Sequence, residues 1–429
     1  MVEFPRHAWL TTTCALCALA LAGVPSAQQP TFRSGVDLIA VEAQVVDGNG
    51  NPIALLKASD FDVSLQGRRR RVASADLVRL DDSRSTAASL PGGAGQGGAI
   101  GEGGRTFMLA VDTSSFEVGA ARRPVEAAQR FVSQLLPEDR VGLHAYPVGP
   151  SIPPGTARAA VRQALGTILG DKHQFGGVYH LQPSEIVDIT GAIGGANPGG
   201  LASRTRTARN PTAAEIEASP VLAVQARECP DDPECATRII SEASAVALHL
   251  ESQAARSLGG LDALLESLAA VPGRKTVVLI TAGVVVSDRP GGRPDVGDWG
   301  RVMGQQAARA RAVVYTIHID PGFSGMYSAA RRRAGETERT RDRNMSGDWL
   351  DRFSASAGGM RIQVPVGAGE FAFDRVLRET AAFYLLGVEP AAADRDGRPR
   401  ELRLKVNKPG VTVRSRQWVV VPKTTGAVR

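Results

Sequence analysis

The chain has 429 residues, enough for two to four domains at roughly 100–200 residues each. With 43% hydrophobic and 22% charged residues its composition is globular, which excludes wholesale disorder. The net charge of +6 comes from 50 basic and 44 acidic residues interspersed along the chain, a balance that does not mark a nucleic-acid binder.

At the N-terminus, Arg6 flanks an apolar run from Ala8 to Ala22 that is broken only at Thr11–Thr13, and small residues then lead to Gln28. This pattern predicts a signal peptide over 1–27, with an uncleaved anchor as the alternative. Cleavage after Ala27 leaves Pro25 at the −3 position; Ala20-Leu21-Ala22 and Val24-Pro25-Ser26 are the other candidate cleavage segments. The apolar run is short for a membrane span, and no later segment is a spanning candidate. The expected location is therefore exported: periplasm, cell surface or medium. Cys14 and Cys17 fall inside the segment, which leaves Cys229 and Cys235 in CPDDPEC. In an oxidising compartment these two are expected to pair; free thiols are the alternative, and the loop between them holds no His to complete a metal site.

Residues 31–81 read as an N-terminal β module. Val36, Leu38 and Ala40 alternate, and Val41, Ala43 and Val45 alternate one position out of step, which predicts a bulge or a change of face. Asp47 to Asn51 has turn chemistry, Phe61 to Leu65 alternates as a strand, and Gln66-Gly67 turns the chain. The four arginines Arg68–Arg71 read as a solvated hairpin, with a polyanion patch as the rival. Residues 82–105 are a Gly-rich linker by composition.

From residue 106 to 382, buried strands alternate with amphipathic helices. Phe107–Val111 is a continuous apolar run ending at Asp112, followed by a helix over about 122–136 and a strand at Val141–Tyr146. A long helix over about 236–270, which Gly259-Gly260 would interrupt, leads to Lys275–Thr281, the strongest buried-strand signal in the chain. A helix at 299–311, a strand at Val313–Ile319, a helix near 348–357 and a strand at Met360–Val364 complete the alternation. It specifies a mostly parallel sheet covered on both faces, with its binding edge at the strand carboxyl ends. Two polar stretches, 184–235 and 321–347, read as insertions, and 383–422 returns to strands as a C-terminal β element.

The strand ending in Asp112-Thr113-Ser114-Ser115-Phe116 resembles the DxSxS adhesion motif of von Willebrand factor type A domains. GRKTVVLITAG resembles their central strand and loop, ARAVVYTIHI the next strand, and the Gly358-Gly359 segment the approach to the last. Over about 31–420 the chain is similar to the von Willebrand factor type A-related proteins of the acidobacterial type, whose first segment resembles GVDLIAVEAQVVDGNGNPIALLKASDFDV and whose last resembles FYLLGVEPAAADRDGRPRELRLKVNKPGVTVRSR. The resemblance implies a three-layer, Rossmann-like α/β domain flanked by small N- and C-terminal β modules. It also implies a cation site built from hard oxygens, suited to Mg²⁺ or Ca²⁺. Asp112 and Ser114 match that pattern, with Thr190 as the second-loop candidate. Phe116 replaces the second hydroxyl, and Ala282 stands where the third-loop Asp is expected. The site is thus expected to be degenerate and to hold no cofactor. Ser115, Phe116, Thr281, Ala282 and Asp288 are then expected to form a binding edge.

No nucleophile elbow, phosphate loop, dinucleotide fingerprint or HExxH is present, and His173, His180 and Asp171 follow no metal-ligand spacing. The expectation is an exported, non-enzymatic, adhesion-type interaction module. Its partner is expected to be a protein, with a glycan as the second choice and nucleic acid excluded. A structural component of the cell envelope and a metal-dependent hydrolase are the alternatives.

Overall fold

The computed structural model describes residues 38–80, 104–195 except 174, 219–320 except 290, 336–365 and 369–423. The expected signal segment, residues 82–103 of the linker, and 196–218 and 321–335 of the insertions lie outside the described residues.

Six strands form the central sheet: β5 (Thr106–Asp112), β6 (Arg140–Tyr146), β7 (Ser151–Gly155), β8 (Lys275–Thr281), β9 (Ala312–Asp320) and β10 (Arg361–Pro365). Their order is β10-β9-β8-β5-β6-β7, and every pairing is parallel except that of β7 with β6. The central strands have no polar face because both faces are covered. Phe107, Leu109 and Val111 face α1 (Arg122–Gln134), α2 (Arg158–Leu165) and α8 (Glu370–Glu379), whereas Met108 and Ala110 face α5 (Cys235–Ala269), α6 (Trp299–Arg309) and α7 (Glu336–Ser356). The result is a mixed α/β layer structure with a mostly parallel sheet.

The two end segments are not separate modules. β1 (Ile39–Val46), β4 (Val72–Arg79), β11 (Ala382–Val388) and β13 (Thr412–Arg414) form one antiparallel sheet in the order β13-β1-β11-β4. β2 (Phe61–Leu65), β3 (Arg68–Arg70), β12 (Pro399–Val406) and β14 (Trp418–Val420) form another, in the order β14-β12-β2-β3. The two sheets close over one core that includes Val41, Val45, Val63, Leu65, Tyr384 and Leu386. Each sheet mixes strands from both ends of the chain, because a four-stranded sheet with a shared apolar face is stable where an isolated hairpin is not. β1 runs without the expected change of face: Ile39, Val41, Ala43 and Val45 all point into that core. Nor do the four arginines simply form a solvated hairpin. Arg70 is largely buried and forks onto Asp394 at 2.7 and 2.9 Å, while Arg69 and Arg71 pair with Asp62 and Glu389.

The polar insertions are partly helical. Pro183–Gly195 is α3, Pro220–Glu228 is α4, and residues 336–347 are the opening turns of α7. α5 is unbroken at Gly259-Gly260 and spans 35 residues, about 52 Å. Its C-terminal part packs on the sheet through Leu258, Leu261, Leu265 and Leu268. Its N-terminal part builds a second, smaller core from Cys235, Ile239 and Ala243 with Ile189, Val221 and Val224. Ser257 touches the carboxyl end of β5, and α3 and α4 pack on the part of α5 before it as a helical crown. Cys229 and Cys235 are joined as a disulfide between the end of α4 and the start of α5.

Candidate functional site

The carboxyl end of β5 brings Asp112 to the edge of the sheet between its neighbours β6 and β8. Asp112 is 1% exposed, and both carboxylate oxygens accept from hydroxyls. Ser114 Oγ donates to Oδ1 at 2.8 Å, and Ser257 Oγ and Thr281 Oγ1 donate to Oδ2 at 2.6 and 3.0 Å. Burial raises the carboxyl above its ordinary range, and the hydroxyl hydrogen bonds oppose that shift. Ser115 Oγ donates to the Asp112 carbonyl at 2.8 Å and accepts from the Ala282 amide at 2.9 Å, which ties the loop after β5 to the loop after β8. Gln253 Nε2 on α5 donates to the Ser114 carbonyl at 2.8 Å. A narrow cleft opens beside the cage, lined by Tyr146, Ser257, Thr281, Val284 and Trp349 among others.

Asp112, Ser114, Ser115 and Thr281 therefore meet, but Thr190 does not join them. It lies on α3, where its hydroxyl donates to the Ile186 carbonyl at 2.7 Å, as a helical Thr commonly does. Asp288 is also engaged elsewhere: Arg341 donates to it through Nε at 2.7 Å and forks onto Asp188 at 2.8 Å through both Nη atoms. Phe116 is 3% exposed and belongs to the core beneath the edge, and Ala282 is likewise buried. Ser115, Phe116, Thr281 and Ala282 of the expected binding edge are thus buried. Ser257 was not among the candidates, yet it supplies the shortest bond to Asp112. Among the described residues, no group of three or more His, Cys, Asp or Glu side chains is placed to hold a metal ion.

Behind the loop after β8 stands His318 on β9, fully buried. Its Nε2 donates to the Ala282 carbonyl at 3.2 Å and its Nδ1 accepts from Arg361 Nη1 at 2.9 Å, so the neutral Nε2–H tautomer fits both partners. Burial, reinforced by the Arg361 charge, depresses the ring to about 4. Gly283 follows with φ +81, and a Cβ there would lie 2.3 Å from the Ser346 carbonyl oxygen, so the loop requires glycine.

Above the buried layer the edge carries exposed apolar side chains among charged ones such as Glu117, Asp171 and His173. Val118, Val148 and Val178 are 74%, 72% and 71% exposed, and Leu169, Leu248 and Phe175 are exposed with them. The loops converge at Thr113: its carbonyl accepts from the Asp171 amide at 2.7 Å, and its hydroxyl donates to the Tyr146 carbonyl at 2.9 Å, next to the turn carrying Val148. The strap 169–178 then crosses to the N-terminal part of α5, where Phe175 packs 5.7 Å from His249 and the Val178 amide donates to Glu242 at 2.9 Å.

No protein-family profile matches the chain, and no curated protein matches it. Eleven chains of solved structures do. One is the crystal structure of an aerotolerance-related membrane protein from Bacteroides fragilis NCTC 9343 with multiple mutations to serines. It is 12% identical over 64% of this chain and 98% of that chain, with a TM-score of 0.30. At that score the likeness carries no inference about activity or partners.

Proposed function

We propose that the chain is an exported, non-enzymatic, adhesion-type interaction module whose six-stranded unit is of the von Willebrand type A kind, and that it takes a protein partner on the rim of exposed apolar side chains at the sheet's carboxyl edge. The single observation that carries this is the rim. Five exposed aliphatic or aromatic side chains sit on loops tied to a buried hydrogen-bonded layer, with Leu248 of α5 beside them, as binding surfaces on rigid scaffolds require. Among its apolar side chains Phe175 is the one aromatic and the rest are aliphatic, which suits a protein surface better than a sugar ring. The Asp112 cage supports a binding reading over a catalytic one. Asp112, Ser114, Ser257 and Thr281 are all buried, which leaves little of them open to a substrate. One carboxylate with three hydroxyls is also a poor charge set for a divalent cation, so the cage serves as a structural pin.

A photo-crosslinking residue placed in turn at Val118, Val148 and Val178 in the producing cell tests the reading. It predicts one discrete heterologous adduct common to the three and none from Arg403, an exposed position on the sandwich. Adducts to a second copy alone would favour the envelope-assembly alternative, and no adduct from any rim position would sink both. Calorimetric titration of Mg²⁺, Ca²⁺ and Mn²⁺ into chelator-stripped protein is expected to show no heat. Heat that disappears in Asp112→Asn would restore a cation-bridged mechanism.

A further inference from the structure

The helical crown is held in an unequal way. α4 has nine residues, too few to persist in water without tertiary support. Val221 and Val224 seat it against Ile189 of α3 and Ile239 of α5, and Arg227 on α4 pairs with Glu185 on α3. Its C-terminal end is fixed covalently, by Cys229 to Cys235. The two sulfur-bearing residues differ in surroundings. Cys229 is only partly buried, whereas Cys235 is fully buried and is the first residue of the 35-residue helix α5.

That asymmetry sets the course of reduction. An incoming thiolate reaches the Cys229 sulfur, and the electron pair of the S–S bond leaves with Cys235, whose thiolate sits at the positive end of the α5 dipole. We propose that the Cys229–Cys235 disulfide is a redox latch on the crown: reduction by a dithiol releases α4 and uncovers the apolar face of α3 and α5 while the central sheet stays folded. In balance, the first thiol of the reductant forms a mixed disulfide with Cys229 and its second thiol displaces Cys229. The reductant ends as a disulfide, and two electrons and two protons leave Cys229 and Cys235 as thiols. The latch is independent of the rim and of the partner proposed for it.

Hydrogen exchange of the full chain, read by mass spectrometry, tests the latch with and without dithiothreitol, alongside a Cys229→Ser/Cys235→Ser variant. Opening a seven-residue ring is expected to lower protection of the amides in 220–228 on the order of 50-fold. Amides of β8, residues 275–281, are expected to be unchanged. The variant should show the lowered protection without reductant and no response to it, and an apolar dye should brighten with reduction of the parent only. Equal protection of 220–228 in both redox states overturns the latch. A loss shared equally by β8 overturns it as well, since the disulfide would then act on global stability. Loss of protection without dye binding overturns the uncovering of the apolar face.

Discussion

Asp112 is the acceptor for three buried hydroxyls, so its replacement is felt through them. Asp112→Ala leaves Ser114, Ser257 and Thr281 without their acceptor and is expected to cost about 3 kcal/mol in urea denaturation at pH 7. Asp112→Asn keeps one acceptor oxygen and should cost less. His318 governs the acid side. Its ring titrates at about 4 when folded and near 6.5 when unfolded, so the unfolded chain binds the proton first. Stability is therefore full above pH 6.5, falls by up to about 3 kcal/mol as pH drops to 4, and levels off below. Asp112 has the opposite sign: its raised pKa favours the folded state as pH falls, offsetting part of that loss. His318→Gln should flatten the decline between pH 6.5 and 4, and denaturation at three pH values in that window checks it. Of the cage, Asp112, Ser114 and Thr281 were legible through the resemblance to the DxSxS motif and the loop after the central strand. Ser257 was not, since 145 residues separate it from Asp112. Its one local trace is the pair Gln253 and Ser257, spaced i, i+4 beside the otherwise apolar stripe of Ala254, Leu258 and Leu261.

Adjacent glycines in α5 are expected to respond to the same substitution with opposite signs. A Cβ on Gly259 meets nothing within 4 Å, so Gly259→Ala should stabilise by about 1 kcal/mol through helix propensity. A Cβ on Gly260 would lie 2.4 Å from Tyr146 Cδ2, on a ring that is 2% exposed and has no room to move. Gly260→Ala should therefore destabilise despite the same propensity gain, by about 1–3 kcal/mol, as overpacked cores do. Thermal unfolding of the two variants side by side decides it. The glycine pair reads as a helix break in the sequence, and the approach of Tyr146 from β6 explains why a glycine stands at 260 within an unbroken helix. β5, β8 and β9 were readable for a simple reason: strands buried on both faces must be apolar throughout. β7 was not, because Pro153 and Pro154 give its residues the look of a loop, and they sit on a sheet edge where a missing N–H is tolerated. α3 and α4 were hidden for other reasons: α3 buries Ser184, Ile186, Val187, Ile189 and Thr190 and so has no polar face to set a period, and α4 is only nine residues long.

Between the sandwich and the central sheet lies a buried polar junction. Glu379 at the end of α8 is fully buried, takes Arg414 of β13 at 2.9 Å and Arg375 at 3.0 Å, and lies 3.0 Å from the Tyr315 hydroxyl of β9, which also meets Gln44 of β1 at 3.0 Å. Glu379→Ala strands the buried Arg414 guanidinium and is expected to cost about 3–5 kcal/mol. It should also split a single thermal transition into two as the sandwich and the sheet uncouple. The layer structure was legible in the sequence, but the shared sandwich was not. β1 pairs with β11 across more than 340 residues, and no local pattern reports a partner that distant. The ends of the Gly-rich linker likewise meet at one place, since the Leu80 amide donates to the Ala381 carbonyl and Arg105 reaches the Leu377 carbonyl at 3.5 Å. Thr380-Ala381 provides a short crossing between the two halves. This topology sets a load path. The first described strand, β1, and the last, β14, both belong to the sandwich, so tension applied through the residues outside them enters at the sandwich. Tension at β1 is carried by pairings within the sandwich, whereas tension at β14 also reaches the sheet unit, because the Gln417 amide beside that strand donates to the Ser356 carbonyl at the end of α7 at 2.7 Å.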